Sequence, residues 1–139
     1  MNNPKIVAVD FDGCLCSNKW PKIGEPNWEA IHMLAACKAD GGKVILWTCR
    51  EGKMLEEAVL WCLNRGLRFD AVNDNLPELK EAFGNNTRKV YADEYWDDRS
   101  VPVIAGVNPH AGHFVAFRKE EETDADKGII ARIRKRFAK

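Results

Sequence analysis

The first apolar run of the chain, residues 5–9 (KIVAV), ends abruptly in Asp10-Phe11-Asp12-Gly13. A second, residues 43–48 (KVILWT), ends at Cys49-Arg50, and weaker runs at 69–72 and 90–96 follow, the last leading into Asp97-Asp98. Between these runs the apolar period lengthens. Trp28, Ile31, Leu34 and Ala35 share one helical face across residues 27–40, with Asn27 placed to cap the start and Gly41-Gly42 to stop it. Leu55, Ala58, Val59 and Cys62 do the same across 53–64, ended by Gly66. Residues 76–83 read as a short helix with Pro77 near its start. Buried strands alternating with amphipathic helices predict an α/β fold: a three-layer, Rossmann-like arrangement with a mostly parallel central sheet and helices on both faces. Residues 14–27 hold two prolines and a glycine and have little periodicity, so they are expected to form a loop too short for a folded cap domain.

In parallel sheets of this kind, ligands bind beyond the carboxyl ends of the strands. The polar residues just after the expected strands form one set: Asp10 and Asp12, then Thr48 and Arg50, then Asp97 and Asp98. Two carboxylates one residue apart repel each other, and a divalent cation is the usual compensator. An Asp-Gly turn at a solvated strand end is the plainer alternative for Asp12-Gly13 taken alone.

After residue 105 the pattern weakens. Residues 113–117 could be a short strand, 118–127 are charged and loop-like, and 128–139 read as a terminal helix. Its apolar residues are Ile129, Ile130, Ile133 and Phe137; Arg132, Arg134, Lys135, Arg136 and Lys139 make it basic. The expected division is a domain over 1–117 and a charged extension over 118–139. The helix is expected to dock by its apolar face, with a phosphate-rich partner or an oligomer contact as the alternative.

The 139 residues are 45% hydrophobic and 30% charged with zero formal net charge, so no overall field draws the protein to nucleic acid or membrane. No apolar stretch approaches 18 residues and no signal-peptide pattern is visible, which predicts a cytoplasmic protein without membrane contact. The five cysteines, Cys14, Cys16, Cys37, Cys49 and Cys62, are an odd number without paired CxxC motifs and are expected to be reduced thiols. Cys14 and Cys16, beside the acids, could bind a metal or oxidise. His110 and His113 are expected in loops, and Trp20, Trp28, Trp47 and Trp61 in core or loop packing rather than base stacking.

Four signatures in order, VAVDFDG, VILWT, Lys89 and WDD, resemble those of the haloacid dehalogenase (HAD) superfamily. The resemblance covers roughly residues 5–104. It is closer to small bacterial and phage members lacking a cap, through the stretches WPKIGEPN, VILWTCREG, FDAVNDNLPE and RKVYADEYWDDR. It implies a HAD-like fold and a magnesium-dependent phosphatase. On this basis Asp10 is expected to be the nucleophile that forms an aspartyl-phosphate, and Asp12 the general acid and then base. Thr48 would hydrogen-bond the phosphoryl group, and Lys89 would neutralise a phosphate oxygen and the Asp10 carboxylate, with Lys80 as the other candidate cation. Mg²⁺ would be held by Asp10, the Asp12 carbonyl, Asp97 and Asp98, directly or through water. Gly13, Cys49 and Arg50 are candidates for contacting substrate. The resemblance is imperfect at Cys14, where Thr or Ser is usual and a thiol is the weaker hydrogen-bond partner.

Dehalogenation, which also uses an Asp nucleophile, needs no acid two residues later because halide leaves without a proton; Asp12 therefore favours phosphoryl transfer. A receiver-like phospho-acceptor module is the rival from another class, but there the acidic pair precedes the phospho-acceptor in sequence. Water and a second substrate both remain candidates to accept the phosphoryl group. The expected partner is a phosphorylated substrate, such as a nucleotide or a nucleic-acid end. Nucleic acid is expected only as substrate or through the basic terminal helix.

Overall fold

The computed structural model describes residues 5–101 and the backbone of Val103–Ala105 and Val115–Phe117. The expected terminal helix, the charged segment before it, His110 and His113 lie outside the described residues. The chain divides into two compact units, Met1–Ser100 and Val101–Lys139.

In the first unit the elements run β1 (Ile6–Val9), β2 (Cys16–Lys19), β3 (Lys22–Pro26), α1 (Trp28–Ala39), β4 (Lys43–Leu46), α2 (Gly52–Leu63), β5 (Ala71–Val72), α3 (Pro77–Phe83) and β6 (Glu94–Trp96). Four strands form a parallel sheet in the order β5-β4-β1-β6. This is an α/β fold with a parallel central sheet, compatible with a Rossmann-like architecture. In the second unit β7 (Val103–Ala105) pairs in parallel with β8 (Val115–Phe117).

The central strands are apolar at consecutive positions because both of their faces are covered. Val7, Val9, Val44 and Leu46 point to one face and pack with Ile31 and Leu34 of α1 and Ala58 and Cys62 of α2. Ile6, Ala8 and Ile45 point to the other and meet Leu76, Leu79, Val90 and Ala92 at α3 and the approach to β6. Two helices thus lie on one face and one short helix on the other.

Asn27 caps α1 as expected: its side-chain oxygen accepts from the Ala30 amide at 3.2 Å. Trp28, expected on the inner face, is 47% exposed and lies beside His32, and Ala30 takes the buried position instead. The capping turn starts the helix at Trp28, and the wall of the sheet is reached only from Ala30 onward.

Residues 14–27 are not a plain loop. They contain the antiparallel hairpin β2–β3, with Asn18 opposite Ile23 and Lys19 opposite Lys22, turning at Trp20-Pro21 through a cis peptide bond. The hairpin stands outside the sheet and has only part of one face covered, so it shows no alternating apolar pattern; its burial is mostly exposed or intermediate. Conversely, the strand expected over 90–96 is paired only at Glu94–Trp96. Upstream, side chains take the backbone groups: the Asn75 amide oxygen accepts from the Tyr91 N–H at 2.7 Å, and the Tyr95 hydroxyl donates to the Val90 carbonyl at 2.6 Å.

Candidate active site at the carboxyl edge of the sheet

β1 lies at the centre of the sheet, between β4 and β6, and the order of connection reverses beside it. The crevice at such a reversal is where parallel sheets bind ligands. Asp10 leaves β1 there, its amide bonded to the Trp96 carbonyl of β6 at 2.9 Å. Asp97 and Asp98 follow β6, and Thr48 follows β4 two residues beyond Leu46. Asp10, Asp12, Thr48, Asp97 and Asp98 line a single open pocket of about 420 Å³. Cys49, Asn18, Trp20 and Arg99 complete its wall.

The turn after β1 is wound around one carbonyl. The amides of Cys14, Leu15 and Cys16 all point to the Phe11 oxygen, at 3.2, 2.9 and 3.3 Å. Gly13 enters it at φ +86°, and a Cβ there would stand 2.7 Å from Asp98 Cγ. Only glycine combines that backbone angle with so close an approach of the acidic pair. Gly13→Ala should therefore destabilise the protein by about 1–3 kcal/mol and displace Asp98; chemical denaturation measures the first, and loss of divalent-cation binding by calorimetry the second.

Asp10 is half-buried. Burial, together with the nearby charges of Asp97, Asp98 and Asp12, pushes its carboxyl up to about 6, against the opposing effect of the Phe11 N–H that donates to it at 2.7 Å. Asp10, Cys14 and Asp98 each offer a ligand atom, and these atoms lie within 4.8 Å of one another. The donor set fits a divalent cation: carboxylates crowded together and partly desolvated are relieved by positive charge. Asp10 and Asp98 supply the hard oxygens that Mg²⁺ takes. The Cys14 thiol suits it less; burial pushes that thiol up to about 11, and it donates to the Trp96 carbonyl at 3.7 Å. Asp97 accepts from the Arg99 N–H at 2.8 Å. Of the late acidic pair, Asp98 is the one grouped with Asp10.

Arg50 is neither a surface residue nor an open substrate clamp. Its side chain is 1% exposed and grips Asp12 with a two-pronged ion pair: Nε donates to Oδ2 at 2.9 Å and Nη2 to Oδ1 at 2.8 Å. The same guanidinium donates to the Pro21 and Lys22 carbonyls at 3.3 and 3.1 Å and lies over the rings of Phe11 and Trp20, 5.1 and 5.0 Å from their centroids. The negative partner raises its affinity for its proton further. Arg50 thereby ties the strand-end acid to the hairpin tip.

Thr48 is set by Asn73, which sits at φ +50° just after β5. The Asn73 side-chain oxygen accepts from the Thr48 N–H at 2.8 Å, while its amide reaches the Arg50 carbonyl at 3.4 Å. The Thr48 hydroxyl accepts from the Arg50 N–H at 3.1 Å, closing the turn.

Neither candidate lysine lines the pocket. Lys89 is exposed, its ammonium 5.1 Å from the Tyr95 ring centroid, and Lys80 pairs with Asp74 at 2.8 Å. The cations that border the acids are Arg50 and Arg99. Asn18 and Asn73 carry no signal in the sequence, and Trp20 was expected in core or loop packing; Asn18 and Trp20 sit on the hairpin that read as a loop. Arg99 stands next to the acidic pair in sequence, where it reads as a partner for Asp98.

A conserved protein from Bacteroides thetaiotaomicron, known from its structure, is 41% identical to this chain. The match covers 71% of this chain and 79% of that one, with a TM-score of 0.63. The two belong to one family. No family model and no curated protein matches the chain. In the family member described here, no helix among the described residues is long and apolar enough to cross a membrane.

Proposed function

We propose that this protein is a capless phosphatase of the haloacid dehalogenase type, dependent on Mg²⁺ and acting through an aspartyl-phosphate on Asp10. The observation that carries the reading is the convergence of Asp10, Asp98 and Thr48 from three strand ends in one pocket, with Asp12 in the same wall. Mg²⁺ held by Asp10 and Asp98 would offset the repulsion between these acids and an anionic phosphate.

The chain's own groups divide the remaining work. An Asp10 oxygen attacks phosphorus, and the bond to the ester oxygen breaks. Asp12, ion-paired as a carboxylate in the resting site, first takes up a proton from solvent. It gives that proton to the ester oxygen as it leaves, then takes one from the water that hydrolyses the acyl phosphate, which leaves it protonated for the next turnover. Both Asp12 oxygens are engaged by Arg50, so its carboxyl is fixed in orientation, and each proton transfer requires one N–H···O bond to yield. The Thr48 hydroxyl, in the pocket wall, hydrogen-bonds the phosphoryl oxygens. Arg99, rather than Lys89, is the cation at the mouth of the pocket.

Hydrolysis of p-nitrophenyl phosphate with Mg²⁺ tests the reading directly; phosphorylation of Asp10 without turnover would instead indicate a phospho-acceptor or phosphotransferase. Asp12→Ala should cost about 10²–10⁴-fold on an alkyl phosphate, whose alkoxide needs the proton, and much less on p-nitrophenyl phosphate. Equal losses on the two esters would remove Asp12 from the acid role.

A further inference from the structure

Trp20 is the one aromatic side chain among the described residues that lines the acid pocket, and it is 55% exposed. An indole that served only the core would be covered. Arg50 lies over this one, its Cζ 5.0 Å from the ring centroid. It is also held at the tip of its hairpin. The Trp20 backbone N–H donates to Asn18 Oδ1 at 3.2 Å, and the carbonyls of the next two residues, Pro21 and Lys22, accept from Arg50. The guanidinium that stacks on the indole is the one that grips Asp12. The ring is therefore positioned from the same buried cation as the catalytic acid, within a pocket of about 420 Å³, inside the range of roughly 300–1,000 Å³ typical of small-ligand sites.

A half-exposed indole in the wall of the pocket that Asp10 and Thr48 also line offers a flat π surface to a ligand seated there. We infer that Trp20 is a stacking platform for a nucleobase, and that the substrates are phosphomonoesters carrying a base, either free nucleotides or the phosphorylated end of a strand. This rests on the phosphatase reading above and names its substrate class. Stacking on an aromatic side chain is sequence-tolerant, since every base has a π face. The preference should therefore be for bases over no base, and weak among bases.

The test compares adenosine 5′-monophosphate, uridine 5′-monophosphate, a 5′-phosphorylated tetranucleotide and glycerol 1-phosphate as substrates of the wild type, Trp20→Ala and Trp20→Phe. Trp20→Ala should lose about tenfold or more in kcat/KM on both mononucleotides, mainly through KM. On glycerol 1-phosphate the loss should be several-fold smaller than on the nucleotides, and Trp20→Phe should recover most of the loss on the nucleotides. The ratio of mononucleotide to tetranucleotide turnover separates the two sources of the base. Equal losses on glycerol 1-phosphate and the nucleotides would make Trp20 a structural residue and overturn the inference, as would a wild type that turns over glycerol 1-phosphate as well as it does nucleotides. The second result would leave the phosphatase reading standing. Binding is read independently of turnover by calorimetry of adenosine 5′-monophosphate on Asp10→Asn protein with and without Trp20→Ala. Binding lost with Trp20, in a protein whose wild type hydrolyses no ester, would uphold the platform and reject the phosphatase; no binding to Asp10→Asn protein would overturn the platform.

Discussion

Replacing Asp10 by asparagine should abolish turnover and, in the metal-free protein at neutral pH, raise stability. Asp10 is the proposed nucleophile, so its loss should reduce kcat by at least about a thousandfold. The gain in stability comes from the same placement. Asparagine is nearly isosteric and can still accept the Phe11 N–H, but it carries no charge to be desolvated or repelled by Asp97, Asp98 and Asp12. The pH dependence follows from the sign of the shift. The Asp10 carboxyl rises from an ordinary 3.8 to about 6 on folding, so the folded chain holds that proton more tightly than the unfolded chain. Its favourable contribution is complete below the unfolded value and is lost as pH rises through about 6. With chelator present, the melting temperatures of wild type and Asp10→Asn should lie close together near pH 4, diverge between pH 4 and 6 in favour of the variant, and run parallel above that. Mg²⁺ at neutral pH should narrow the gap by stabilising the wild type more. A wild type more stable than the variant at pH 7.5 in chelator, or a gap indifferent to pH, would mean that Asp10 is not held in a cost-bearing environment.

The second large effect is expected at Arg50. Arg50→Ala should destabilise the fold by about 3–5 kcal/mol, the range for removing one partner of a buried ion pair. Three losses coincide. Asp12 keeps its charge without its partner, the Pro21 and Lys22 carbonyls lose their donor, and the space between Phe11 and Trp20 empties. Arg50→Lys keeps the charge but not the planar fork, so it should recover only part of the stability. Because Asp12 and Arg50 act as a unit, the double variant Asp12→Ala/Arg50→Ala should be more stable than the two single losses added together, with a coupling of about 1–3 kcal/mol in urea unfolding. Additive losses would mean that the pair is a surface contact. Activity should fall with Arg50→Ala on every ester, since both the acid and the hairpin lose their anchor.

The strands at 6–9 and 43–46 and the helices at 28–39 and 52–63 were legible in the chain because burial on both faces of a sheet, or on one face of a helix, leaves a period that the residues themselves carry. The strand ends were legible for the same reason: where an apolar run stops at Asp10, Thr48 or Asp97, the sheet has reached its carboxyl edge. That is also why the acid set could be assembled from sequence order, and why Gly13 stands where a positive φ and the Asp98 carboxylate leave no room for a side chain.

What the chain could not reveal are relations between side chains far apart along it. The β2–β3 hairpin leaves no alternating pattern because only Cys16 and Ile23 of its strands meet the core. Its tip is tied to the site by Arg50, nearly thirty residues later, which reaches back to it. The same buried guanidinium converts an arginine that could have been a surface residue into the partner of Asp12. Lys89 illustrates the reverse: adjacent to the acid-bearing strand in sequence, its ammonium lies at the Tyr95 ring instead of in the pocket. Local periodicity reports which face a residue shows to the core. The partner of a buried charge is chosen by packing in three dimensions, and so the sequence by itself determined the sheet and its acidic edge, while the tertiary structure alone decided that Arg50 holds Asp12 and that Trp20 stands open beside it.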